Sequence, residues 1–96
     1  MKTGKWTFLT NHAQVLLCLA SNGGQMTARE IAHAVGITER AVQRILSDLE
    51  AAGYISRFRD GRRNRYEIHS DLPMRHPAQR GLTVRDLLEI MASREL

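Results

Sequence analysis

Apolar residues recur along this chain first at three- and four-residue steps and then at alternate positions, and the change of period divides it. From Thr10, a good N-cap type, the run Val15, Leu16, Leu17, Leu19 and Ala20 predicts a first helix, which Ser21-Asn22-Gly23-Gly24 stops. Its apolar face is broad for so short a helix. That predicts a mostly buried scaffold element, with Cys18 as packing rather than a reactive thiol. Gln25 and Met26 leave room for only a very short extended segment. Thr27 and Glu30 have capping-box spacing and open a second helix, in which Ala28, Ile31, Ala32 and Val35 form the inward stripe and Arg29, Glu30 and His33 lie outside. Gly36 ends that helix, Ile37 tucks toward the core, and Thr38 caps a third helix from about Glu39 to Ala52, closed by Gly53. Val42, Ile45, Leu46, Leu49 and Ala52 share one face of it, and Glu39, Arg40, Gln43, Arg44 and Ser47 occupy the other.

From Tyr54 the period becomes two. Residues 54–58 and 65–69 read as strands and 59–64 as their connection, in which Asp60-Gly61 is a hairpin signal, with a loop longer than the tightest two-residue form. A two-stranded hairpin is marginal alone, so Ile55, Phe58, Tyr66 and Ile68 are expected to pack on the helices. Residues 70–81, with Pro73 and Pro77, read as an irregular connector. Thr83 then caps a last helix running to Ser93, with Asp86 at capping-box spacing and Val84, Leu87, Leu88 and Met91 on one face, facing either its own domain or a second copy. The predicted class is mainly α with a small β-hairpin (α+β), organised as residues 1–69 followed by a connector and C-terminal helix at 70–96.

Composition sharpens this pattern only in places. A chain of 96 residues, 43% of them hydrophobic, supports one domain with one modest core. The net charge of +4 and pI of about 10.0 favour a polyanionic partner, although ordinary solubility charge explains +4 equally well. Placement says more. Arg57, Arg59, Arg62, Arg63 and Arg65 crowd into nine residues opposed only by Asp60, a self-repulsion that makes sense where phosphates supply the counter-charge. Strand alternation turns Arg57 toward the protein, which sets it apart from the other four.

Lys2 and Lys5 followed by an apolar run loosely imitate a secretory signal, but Asn11, His12 and Gln14 interrupt it, and Leu17 before Cys18 does not make a lipoprotein site. No stretch approaches the roughly 20 apolar residues of a membrane span, and the single Cys18 cannot form an internal disulfide. A cytoplasmic protein without membrane association is expected. His12, His33, His69 and His76 are scattered without metal-ligand spacing, and neither a Gly-rich phosphate loop nor a nucleophile motif is present. No catalysis, cofactor or metal is expected.

The order of helix, capped helix, glycine turn, amphipathic helix and basic hairpin resembles the winged helix-turn-helix domain of bacterial and archaeal transcriptional regulators, broadly the MarR and ArsR types, over about residues 8–69. Ala32, Gly36, Thr38, Val42 and Ile45 carry the resemblance: a small residue for close helix crossing, a turn glycine, a capping threonine and two aliphatic anchors. It implies a three-helix core with a wing and a C-terminal helix, and a third helix that enters the major groove of double-stranded DNA. Thr38, Glu39, Arg40, Gln43 and Arg44 would then lie nearest the bases, where arginine suits guanine and glutamine adenine. Arg59, Arg62, Arg63 and Arg65 would lie on the backbone or in a minor groove, with Arg29 a weaker phosphate candidate. Metal-sensing ArsR types use several thiols or His and carboxylate sets, which Cys18 alone does not match.

The resemblance further implies a homodimer, with Val84, Leu87, Leu88 and Met91 at the contact and recognition helices roughly 34 Å apart. It leaves little chain for a separate sensor, though a small-molecule effector of unidentified type could bind at a dimer cleft. Three alternatives remain open here. Arg40 and Arg44 could form a solvated face paired with Glu39 or Asp48, or the fold could serve as a protein–protein interaction module in a larger assembly. Structured RNA is disfavoured, because its deep, narrow groove does not admit a recognition helix.

Overall fold

Each of the four helices among the described residues begins at a threonine hydroxyl. In the computed structural model, which describes residues 6–92, α1 (Asn11–Ser21), α2 (Ala28–Val35) and α3 (Glu39–Ala51) start where Thr10, Thr27 and Thr38 accept from the amides of Ala13, Glu30 and Ala41. The fourth, α4 (Val84–Ala92), starts where Thr83 accepts from the amide of Asp86 while the Asp86 carboxylate accepts from the amide of Thr83. The same reciprocal pair closes at Thr27 and Glu30, so both predicted capping boxes form. Gly36 ends α2 in the left-handed conformation, and Ile37 packs against the core beyond it. Lys2, Lys5 and the expected end of the last helix at Ser93 lie outside the described residues.

Val15, Leu16 and Leu19 of α1 meet Ile31 and Ala32 of α2 and Val42, Ile45, Leu46 and Leu49 of α3 in one buried cluster. Each fully buried Val, Leu or Ile stabilises the domain by about 1.5–3 kcal/mol relative to exposure. Cys18 packs against this cluster, and burial raises its thiol pKa. One edge differs from expectation. Ala52 is exposed: α3 stops at Ala51, and the amides of Ala52, Gly53 and Tyr54 close its last turn onto the carbonyls of Asp48, Glu50 and Leu49. Gln25 and Met26 form no strand, within the limit expected of them; Met26 packs against the core, and the Gly24 carbonyl just before them accepts from the amide of Tyr66 at 2.9 Å.

The hairpin is tighter than the sequence suggested. Strands β1 (Ile55–Asp60) and β2 (Arg63–Ile68) pair antiparallel from Ile55 opposite Ile68 to Asp60 opposite Arg63, leaving only Gly61 and Arg62 in the turn. Asp60 is a poor strand former, but directly opposite Arg63 its charge is complementary. Gly61 takes φ +66° at the first turn position, which a two-residue turn of this hand demands. Ile55 and Tyr66 are buried and Ile68 packs on the core, whereas Phe58 does not pack as expected. Three residues beyond Ile55, it falls on the opposite face of β1, 43% exposed.

The connector is irregular, as expected, but it is tied down. Pro73 bridges Thr83, the Tyr54 hydroxyl donates to the carbonyl of Pro73, and a short 3-10 turn spans Pro77–Gln79. Val84 is 3% exposed and belongs to the core, and Leu88 packs against it. Of the four positions expected to meet a second copy, these two therefore face their own domain, while Leu87 is half-buried and Met91 exposed. Three helices, a wing and a docked C-terminal helix make the α+β winged-helix architecture that the sequence implied.

Candidate nucleic-acid interface

Because Val42, Ile45, Leu46 and Leu49 anchor α3 inward, helical periodicity turns Arg40, Gln43, Arg44 and Ser47 outward, and all four are exposed. Thr38 and Glu39 are exposed at its start. Two α3 carboxylates lean sideways rather than over this face. Asp48 meets the His12 ring at 2.8 Å on the α1 side, and Glu50 lies 3.7 Å from the Arg57 guanidinium on the wing side. The arrangement in which Asp48 or Glu39 neutralises Arg40 and Arg44 is not the one observed: among the described residues neither arginine has a carboxylate partner. Both line a groove with Asn11, His12, Thr38 and Asp48, so the N-terminal end of α1 and one carboxylate, held by the His12 ring, border the two guanidinium groups.

Strand register distributes the wing arginines. Arg57 and Arg59 share the face of Ile55, Arg63 and Arg65 share the opposite face with Phe58, and Arg62 occupies the turn. Arg59 donates from Nε to the Gly61 carbonyl at 3.0 Å. The Arg65 guanidinium lies 5.9 Å from the centroid of the Phe58 ring, and Arg63 reaches within 4.0 Å of Glu30 at the start of α2. Arg59, Arg62, Arg63 and Arg65 are all exposed, so the wing carries positive charge on its tip and both faces rather than in one stripe. Arg29 is exposed on the first turn of α2. Glu30 is held below the ordinary carboxylate range, first by the Thr27 backbone amide, then by the Thr27 hydroxyl and Arg63.

Arg57 behaves differently. Its guanidinium sits 5.7 Å from the centroid of the Tyr66 ring, and its Nε is buried without a hydrogen-bond partner. Strand alternation put Arg57 on the inward face, as expected; Arg59 shares that face but lies nearer the tip, beyond the core, and is exposed. Sequence reasoning missed Asn11 and His12 as neighbours of Arg40 and Arg44, because only the docking of α1 against α3 brings them there. Among the described residues no group of three His, Cys, Asp or Glu side chains could hold a metal ion, and no helix is long and apolar enough to cross a membrane.

A family model described as "Domain of unknown function (DUF7343)" matches residues 8–68. An uncharacterized protein of Methanocaldococcus jannaschii, MJ1254, is 33% identical over 63 residues, which make up 66% of this chain and 13% of that protein. Among solved structures, T. potens IscR superposes with a TM-score of 0.67 at 14% identity, covering 95% of this chain and 92% of its own. The Staphylococcus aureus MepR–DNA complex gives 0.57 at 22% identity, covering 92% and 60%. The MarR family transcription regulator SP03579 gives 0.54 at 22%, covering 92% and 52%. The winged-helix fold expected from the sequence is thus shared with MarR-family regulators, while the chain spans only a fraction of MJ1254 and little more than half of MepR or SP03579.

Proposed function

The chain belongs to the DUF7343 family, whose description assigns no activity, and from that premise we propose that it is a sequence-specific double-stranded DNA-binding transcriptional regulator. One observation carries the proposal: the exposed face of α3 presents Arg40, Gln43 and Arg44 with neither arginine ion-paired to a carboxylate among the described residues, while the wing beside it exposes four further arginines. Recognition through α3 in the major groove uses side chains whose chemistry fits base edges. A guanidinium fork donates two bonds to guanine, and a carboxamide both donates to and accepts from adenine. Thr38 and Glu39 lie at the end of the helix that would approach the bases first. Arg59, Arg62, Arg63 and Arg65 serve the phosphates or a minor groove, where they supply affinity and orientation rather than sequence discrimination. The solved MepR–DNA complex, on the same fold, supports this reading.

We also propose that the chain acts as a homodimer. Val84 and Leu88 fix α4 to its own core, and half-buried Leu87 and exposed Met91 are left to supply the contact with a second copy. The two recognition helices would then meet successive major grooves, roughly 34 Å apart. Selection of the full chain against random duplex DNA tests both parts. A defined inverted repeat is expected. A flat selection contradicts sequence-specific regulation, and a single unrepeated half-site contradicts the dimer.

A further inference from the structure

Arg57 stands at the junction between the two proposed DNA contacts. Glu50 lies in the last turn of α3, and Arg57 is the third residue of β1, across the bend that Ala52, Gly53 and Tyr54 make between them. The Arg57 guanidinium spans that bend, with Nη2 3.7 Å from the Glu50 carboxylate and its centre 5.7 Å from the Tyr66 ring centroid. Tyr66 is an unyielding support. It is 6% exposed and belongs to the core, and its amide donates to the Gly24 carbonyl at 2.9 Å. The Nε of Arg57 is buried with no acceptor. An arginine kept for phosphate holds its donors in water until the anion arrives, whereas this one has given up one donor to stay between a carboxylate and an aromatic face.

We propose that Arg57 is a positioning residue: by bridging Glu50 and Tyr66 it fixes the angle between the recognition helix and the wing, and it contacts no phosphate. This rests on the DNA-binding reading above. The consequence is geometric. Both contacts must meet one duplex together, and contact groups work only when their support holds them within a fraction of an ångström.

The test uses the full chain and its selected duplex, with affinity followed against salt concentration. Losing a phosphate contact makes the slope of log affinity against log salt shallower by roughly 0.9. Arg62→Ala is expected to show that loss. Arg57→Gln is expected to weaken binding about tenfold with the wild-type slope, and Arg57→Lys, which keeps the charge but not the planar fork, to restore it only in part. Arg57→Glu alone binds poorly, and adding Glu50→Arg is expected to recover most of the lost affinity beyond what Glu50→Arg does by itself. Amide exchange without DNA gives a separate reading: Arg57→Gln speeds exchange across β1 and β2, and Arg62→Ala does not. A shallower slope in Arg57→Gln, unchanged affinity, absence of coupling in the charge exchange, or unaltered wing exchange each overturns the proposal. A wild type that binds no duplex overturns the DNA-binding reading instead, and the exchange measurement still decides whether Arg57 holds the wing.

Discussion

A Cβ on Gly24 would overlap the carbonyl oxygen of Tyr66, and Gly24 also has φ +79°. Backbone meets backbone there, so no side-chain rotation relieves the clash. Gly24→Ala is expected to cost roughly 2–4 kcal/mol, from left-handed strain together with forced separation of the α1–α2 loop from β2. Urea denaturation checks it, and a loss under about 1 kcal/mol would mean that the loop shifts freely. Glu30 makes a prediction in pH. Its folded pKa is lowered from 4.5, so its contribution to stability is fully present above that value and is lost as pH falls through the folded pKa. Glu30→Gln keeps an acceptor for the Thr27 amide and removes the titration. Wild-type stability should therefore fall more steeply than that of the variant as pH drops below about 4.5, and parallel acid profiles would contradict the assignment.

At the scale of elements, α4 joins two roles that substitution can separate. Val84→Ala removes buried methyl groups from the core and is expected to destabilise the domain by about 1–3 kcal/mol, equally at low and high protein concentration. Met91→Ser, at an exposed position, should leave monomer stability almost unchanged and weaken self-association. Sedimentation equilibrium with denaturation at two concentrations distinguishes them, and a Met91→Ser protein that self-associates like wild type removes this face from the proposed dimer.

The capped helices were legible in the sequence because caps are local: a threonine and a carboxylate three residues apart satisfy amides within one turn. What escaped was set across space. The two-residue turn follows from a register, Asp60 opposite Arg63, that no single strand specifies; the exposure of Phe58 was within reach of the sequence, since alternation alone turns it away from the face of Ile55. The docking of Val84 needs the connector folded back through Pro73 and Thr83, and the neighbourhood of His12, Arg40 and Arg44 exists only once α1 crosses α3. The outward set on α3 was readable because its inward stripe was unambiguous. The division of the wing arginines between two faces was not, since it follows from the same register.

On the scale of the whole molecule, a small core holds two unlike surfaces at a fixed relation: a helix face of mixed donors and acceptors, and a hairpin in which five arginines outweigh Asp60 and Glu67. The first can discriminate and the second can only attract. That division is the central claim, and it is tested most directly by measuring affinity for the selected duplex and for each of its single base-pair variants, at several salt concentrations, with wild type, Arg40→Ala and Arg62→Ala. Arg40→Ala is expected to flatten discrimination at one or two positions, a loss of about 1–3 kcal/mol there. Arg62→Ala is expected to weaken binding to every variant alike and to make the salt dependence shallower by roughly 0.9. Arg40→Ala lowering affinity uniformly, or Arg62→Ala altering the base preference while the salt slope holds, would contradict the division of labour between α3 and the wing.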